Sequence, residues 1–231
     1  MLASLNYGSR KDIKKMAKNG EIKVNEEVVK KADAHVDPEK DEIFVNGEKV
    51  FYREFVYIIM NKPQGVISAT YDNYQETVID LLDEAYLCFD LFPVGRLDKD
   101  TEGLLLLTND GKLSHDLLSP KKHVDKIYYV EVDGMLGKED IKFLKDGVVI
   151  DEEYKCLPAE LEIIESGETS SAYITIREGK FHQVKKMMLA LDCEVTYLKR
   201  IQMGNLKLDE DLELGEYREL NQEELDLLCN K

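Results

Sequence analysis

Gly95-Arg96-Leu97-Asp98-Lys99-Asp100-Thr101-Glu102-Gly103 runs directly into Leu104-Leu105-Leu106-Leu107 and stops at Thr108-Asn109-Asp110-Gly111. A polar loop carrying Arg and Asp therefore feeds a continuous apolar run of strand length, closed by turn residues. A loop anchored on a rigid strand is where a nucleophile or an acid/base would be positioned. The plainer reading makes Asp98 and Thr101 turn residues, with Asp98 capping nearby amides. For a generic D-x-x-T, that is the ordinary fate.

Outward from this stretch, helical and strand patterns mix without a regular βαβα alternation. Phe55 to Met60 reads as a buried strand closed by a turn over Asn61-Lys62-Pro63-Gln64-Gly65. Thr77 to Leu82 reads as a short helix, Lys112 to Leu118 as a helix, and Ile127 to Val132 as a strand. Lys138 to Lys145 is amphipathic and ends at Asp146-Gly147, while Leu161 to Ile164 and Ala172 to Ile176 alternate as half-buried strands. Val184, Met187, Met188 and Leu191 recur at helical spacing within His182 to Leu191, and Gln222 to Leu228 closes the chain as an acidic helix. The implied class is α+β with a mainly antiparallel sheet.

Residues 1–54 read as a separate small unit, ahead of a larger one over 55–231. Ser9 and Asp12 form a capping box, Ile13, Met16 and Ala17 an apolar stripe, and Gly20 a helix stop. Arg10, Lys11, Lys14, Lys15 and Lys18 occupy the other faces of that helix. Ile43-Phe44-Val45, Asn46-Gly47 and Glu48-Lys49-Val50 then give a hairpin signal.

Composition bounds the function. The 231 residues hold 31 Lys/Arg against 47 Asp/Glu, a net charge of −16. That total argues against a polyanion partner, but its distribution does not. Residues 1–31 carry +4 and residues 177–200 carry +3, whereas 136–170 and 205–231 carry −6 each. Screening confines surface charges to a range of roughly 8 Å, so local basic patches can still hold RNA. The longest run without a charge is the nine residues Pro63 to Tyr71. A spanning helix needs about 20 apolar residues. The first residues lack the apolar core of a secretory signal. Cys88, Cys156, Cys193 and Cys229 are widely spaced with no C-x-x-C, which fits reduced thiols in the cytoplasm and gives no zinc pattern.

The opening stretch, written G-R-L-D-x-x-T-x-G-L-L-L-L-T-N-D-G, closely resembles the catalytic motif of the RsuA-type pseudouridine synthases. Met60-Asn61-Lys62-Pro63-Gln64-Gly65 resembles that family's M-x-N-K-P-x-G strand end. Ser114-His115, Ser119-Pro120-Lys121-Lys122-His123 and Lys126-Ile127-Tyr128 resemble its next segment. Glu178-Gly179-Lys180-Phe181-His182-Gln183-Val184-Lys185-Lys186-Met187 resembles its E-G-[RK]-x-H-Q-V-[KR]-[RK]-M element, and Leu198-Lys199-Arg200 and Gly204 follow at its spacing. The match runs in order from Phe55 to Leu220. Residues 1–54 resemble an S4-type RNA-binding module, through Gly8-Ser9-Arg10-Lys11 and Gly20-Glu21-Ile22-Lys23-Val24-Asn25, in an N-terminally shortened form lacking its opening R-L-D-x-x-L.

The resemblance implies a pseudouridine synthase fold with a central, mainly antiparallel mixed sheet behind a small α/β S4-like domain. It implies isomerisation of one uridine in 16S rRNA, free or within a partly assembled small subunit, by a cytoplasmic monomer needing no cofactor or metal. By the same resemblance Asp98 is the nucleophile, Lys185 its basic partner and Tyr128 the ring that stacks on the flipped uracil. Arg96 fills the vacated RNA stack or holds a phosphate. Lys62, Lys126, Lys180, Lys186 and Arg200 line the phosphate path, and Arg10, Lys11, Lys14 and Lys15 grip RNA elsewhere. The same chemistry on 23S rRNA, a non-catalytic assembly factor and an acidic interaction protein are the rival readings.

Overall fold

The structure is a computed structural model that describes residues 1–3, 5, 7–37, 40–50 and 53–229. The chain divides into two compact units, Met1–Val56 with Asp83–Asp90, and Tyr57–Leu82 with Leu91–Lys231.

In the first unit, α1 (Arg10–Asn19) starts on a reciprocal capping box. The Asp12 N–H donates to Ser9 Oγ at 3.3 Å and the Ser9 N–H to Asp12 Oδ2 at 3.0 Å. Two of the orphan donors of the first turn are thereby satisfied. Gly20, in the left-handed region at φ 81°, ends the helix. Ile13 and Ala17 pack with Ile22, Ile43, Val45 and Val50. The strands β1 (Ile22–Val24), β2 (Glu27–Val28), β3 (Ile43–Val45) and β4 (Glu48–Lys49) form an antiparallel sheet in the order β2-β1-β3-β4. Its β3–β4 hairpin turns at Asn46 and Gly47, both with positive φ as the right-handed strand twist demands. Burial of one stripe of α1 leaves Arg10, Lys11, Lys14 and Lys15 exposed.

The second unit is built on a nine-stranded sheet. In chain order its strands are β5 (Tyr57–Lys62), β6 (Phe92–Pro93), β7 (Glu102–Thr108), β8 (Lys126–Asp133), β11 (Glu160–Glu165), β12 (Thr169–Ile176), β13 (Glu194–Met203), β14 (Leu206–Lys207) and β15 (Tyr217–Glu219), while β9 (Val149–Ile150) and β10 (Tyr154–Lys155) pair separately. The main path runs β11-β12-β8-β13-β7-β5-β15, antiparallel except where β13 meets β7 in parallel. Helices α2 (Gly111–Leu118), α3 (Lys138–Lys145), α4 (Gln183–Leu189) and α5 (Gln222–Cys229) complete it. All seven residues of β7 are buried, which is why it reads as an unbroken apolar run rather than an alternation. Leu104 and Leu106 join Ile59, Val94, Leu113, Leu117, Met203 and Leu206 in one cluster. Among the described residues no helix is long and apolar enough to cross a membrane.

Two local expectations are corrected, and one strand went unread. Asn61 and Lys62 are the last residues of β5, not a turn, because they pair with Leu104 and Gly103 of β7. Thr77 to Leu82 is a series of turns rather than a helix. Thr77 pairs with Ile67 in an isolated bridge, and the Asp80 carboxylate accepts both the Thr77 N–H and its hydroxyl at 2.8 Å. The ten-residue β13 had no sequence signal of its own, since Lys199, Arg200 and Gln202 break its apolar pattern.

The two halves of the sheet meet at only two residue pairs, Lys199 with Glu102 and Arg200 with Gly103. Gly103 adopts φ +101°, and a Cβ there would strike the Arg200 carbonyl oxygen and lie 2.8 Å from its nitrogen. Both the backbone conformation and the close approach require glycine. Gly103→Ala is expected to lower unfolding stability by about 3 kcal/mol, from strain and overpacking together. Urea denaturation measures it, and a loss below about 1 kcal/mol would show that the crossing relaxes.

Candidate active site

The loop between β6 and β7 is fixed from behind by the end of β5 and the segment after it. The Ser68 hydroxyl donates to the Leu97 carbonyl and accepts the Leu97 N–H, both at 3.0 Å. The Gly65 N–H donates to the Lys99 carbonyl at 2.8 Å. The Lys62 ammonium, fully buried, donates to the carbonyls of Pro63 at 2.9 Å, Asp98 at 3.1 Å and Thr101 at 2.9 Å. The Thr101 N–H closes the turn onto the Asp98 carbonyl at 3.1 Å. The Asp98 carbonyl and the backbone on both sides of it are thus held, while its carboxylate stays 26% exposed at the surface of a cleft.

The opposite wall comes from β8 and the start of α4. Tyr128 on β8 is buried to 7% exposure and lines the cleft with Arg96, Asp98, Lys180, His182 and Lys185. Lys185 Nζ stands 3.4 Å from Asp98 Oδ2 and 2.5 Å from Asp100 Oδ1, so one ammonium bridges two carboxylates. Its hydrogen bond is the main cause that holds the Asp100 carboxyl below the usual range. His182 Nε2 approaches Asp98 Oδ1 to 3.6 Å. The loop before α4 is shaped by buried Glu178, whose carboxylate accepts from Tyr154 Oη at 2.6 Å, the Leu157 N–H at 2.9 Å and Gln183 Nε2 at 2.8 Å. Gln183 in turn accepts the Lys180 N–H at 2.9 Å. This gives Gln183 a structural task inside the E-G-K-F-H-Q run. Among the described residues no His, Cys, Asp and Glu group of three or more is placed to hold a metal.

Asp98, Tyr128 and Lys185 therefore converge, with Arg96 exposed at the mouth. Lys180 is exposed beside them, its ammonium 4.5 Å from the Tyr154 ring centroid, and Lys186 pairs with Asp151 at 2.6 Å. Three expected phosphate contacts are corrected. Lys62, Lys126 and Arg200 are buried, and each donates to at least one backbone carbonyl. Lys126 Nζ bonds the Val124 carbonyl at 3.0 Å and Arg200 Nε the Leu104 carbonyl at 2.7 Å, so none lies on an open path. Arg10, Lys11, Lys14 and Lys15 belong to the other unit. Ser68, Asp100 and Glu178 were missed as site-forming residues. Asp100, two residues after Asp98 and facing the same cation, was the one with a readable signal.

Burial pushes the Lys62 ammonium down to about 8, against the pull of Asp100, Asp98 and Glu102. The unfolded chain holds that proton to about 10.5, so between pH 8 and 10.5 the unfolded state binds more protons and stability rises with pH. Lys62→Met is expected to cost about 2 kcal/mol at pH 7, since it leaves three buried carbonyls without their donor. The gap to wild type should widen from pH 8 to 10.5, because only the wild type loses its desolvation penalty there. Chemical denaturation of both proteins across that range tests this, and a constant gap would contradict it.

Comparison with known proteins follows the same outline. The family model described as RNA pseudouridylate synthase matches residues 56–190. An uncharacterized RNA pseudouridine synthase of Bacillus subtilis (strain 168) is 54% identical over 99% of this chain and 96% of its own length. The ribosomal small subunit pseudouridine synthase A of Vibrio vulnificus (strain CMCP6) is 40% identical over 94% of this chain and 93% of its own. The ribosomal large subunit pseudouridine synthase B of Bacillus subtilis (strain 168) is 38% identical over 97% and 92%. A crystal structure of a pseudouridylate synthase superposes with a TM-score of 0.70 at 34% identity, covering 98% of this chain and 96% of the other. The family model over more than half of the chain, likeness along nearly the whole length and the shared fold agree: the chain belongs to the RNA pseudouridine synthase family of isomerases.

Proposed function

We propose that this protein converts one uridine of 16S rRNA to pseudouridine, with Asp98 as the nucleophile. The reaction breaks the N1–C1′ bond, turns the base and joins C5 to C1′. The C5 proton is lost and N1 regains one, so atoms and charge balance without an oxidant. The observation that carries the reading is the Asp98 carboxylate, held on a fixed backbone in an open cleft between the Lys185 ammonium and the His182 imidazole. A carboxylate in a half-dry cleft stays ionised when a cation stands beside it. Lys185 is that cation, and its second bond to Asp100 keeps it in place. Tyr128 lines the cleft with a largely buried ring, against which a flipped uracil would stack. The exposed cations Arg96 and Lys180 would meet the phosphates that flank it. The first unit would act as an S4-like RNA-binding module through Arg10, Lys11, Lys14 and Lys15.

The small-subunit target is supported by the S-P-K-K-H, F-H-Q-V-K-K-M and G-E-Y-R-E-L runs and by the 40% identical Vibrio relative. The second reading, a 23S uridine, rests on the 38% identical large-subunit relative. Pseudouridine mapping of 16S and 23S transcripts incubated with the protein separates them. One new site in 16S, lost with Asp98→Asn, is expected. The loss should exceed about a thousandfold in kcat/KM, the scale of removing a covalent nucleophile. A site in 23S would overturn the target. No site in either RNA, free or packed with ribosomal proteins, would overturn the enzymatic reading.

A further inference from the structure

Phe181 has no partner in the core. Its side chain is 72% exposed, although it sits between Lys180 and His182, both of which line the cleft. The ring is not loose in solvent. It stacks on the His182 imidazole with centroids 3.8 Å apart and planes 19° from parallel. His182 holds φ +53°, a left-handed conformation that is strained for a non-glycine residue. That turn places the imidazole against Asp98 at 3.6 Å and lifts the phenyl ring outward. Lys186 stands 5.1 Å from the ring centroid, and Lys180 is exposed one residue before it. A continuous row therefore leads from the Asp98 carboxylate through an imidazole to an exposed phenyl ring beside the Lys186 ammonium. An aromatic face with an adjacent cation fits a nucleobase and its phosphate.

We propose that Phe181, backed by His182, is the stacking platform for a nucleobase adjoining the target uridine, and so a binding subsite distinct from the one at Tyr128. The inference rests on the RNA-modifying reading above and deepens it. Extruding a uridine costs the stacking energy of its neighbours. A phenyl ring on a fixed mount replaces part of that loss for the base left behind. Because the platform holds the flanking base before and during reaction, its removal raises KM and leaves kcat nearly unchanged.

The test compares wild type, Phe181→Leu and Phe181→Trp on unmodified 16S and 23S transcripts, free and packed with ribosomal proteins. Leucine keeps the apolar surface but has no π-face. Phe181→Leu is expected to raise KM about tenfold with kcat within about twofold, the lower part of the range for one base–aromatic stack. Phe181→Trp is expected to restore the wild-type KM. An unchanged KM in Phe181→Leu overturns the proposal. So does a fall in kcat without a change in KM, which would assign Phe181 to loop positioning instead. Wild-type protein inactive on every RNA would overturn the underlying reading, and that outcome is visible before any variant is compared.

Discussion

A single buried ammonium organises the Asp98 loop. Lys62 Nζ gathers the carbonyls of Pro63, Asp98 and Thr101, three negative dipole ends that would repel one another and lack water if the cation were removed. One lysine side chain reaches all three carbonyls at once, which ties both ends of the loop to the end of β5. Burial weakens its hold on the proton, but Asp100, Asp98 and Glu102 pull the other way, so it is charged at neutral pH. The geometry of Asp98 is thus set by its own carbonyl, leaving its carboxylate free of any structural duty. A reactive side chain on an immobile backbone is what precise positioning of a substrate requires.

The same rung of the sheet carries the other parts of the site. Lys62 on β5 pairs with Gly103 on β7, Gly103 with Arg200 on β13, and Arg200 with Tyr128 on β8. The clamp on the Asp98 loop and the tyrosine that faces it are therefore related by three strand pairings. At the centre of that rung a glycine lets β13 approach β7, and Arg200 reaches across to the Leu104 carbonyl beyond it. Two buried cations stand at this rung, Lys62 bonding carbonyls of the Asp98 loop and Arg200 the Leu104 carbonyl. A change at Gly103 would move Asp98 and Tyr128 relative to each other without touching either.

How much of this was legible depended on whether a residue's type matched its surroundings. The capping box at Ser9 and Asp12, the Asn46-Gly47 turn and the Leu104 to Leu107 run show local chemistry agreeing with the global fold, so pattern alone located them. The convergence of Asp98, Lys185 and Tyr128 was carried by ordered motifs far apart in the chain, which spacing by itself could not have joined. What failed was charge. Lys62, Lys126 and Arg200 read as surface cations because such side chains are rarely buried. Their carbonyl partners are backbone groups, which no sequence pattern displays. For the same reason β13, with Lys199 and Arg200 at its centre, did not read as a strand. Glu178 was hidden likewise, since its partners Tyr154, Leu157 and Gln183 meet only in the folded chain.

These assignments also alter what the net charge of −16 means for an RNA partner. Three of the cations expected on the phosphate path are interior. Of those that remain near the cleft, Lys185 already faces Asp98 and Asp100, and Lys186 faces Asp151. A phosphate binding at Lys186 displaces a carboxylate, and an exposed ion pair of this kind is worth only about 0–1 kcal/mol, so the exchange is inexpensive but gains less than capture by an unpaired cation. Fewer counterions are released from the RNA per net contact, and indiscriminate attraction to any polyanion is correspondingly weak. The remaining non-ionic surface at this cleft is aromatic, Tyr128 inside it and the stacked Phe181–His182 pair at its rim. Such rings hold a base by its face whatever its identity, so affinity can rest on stacking as well as on charge.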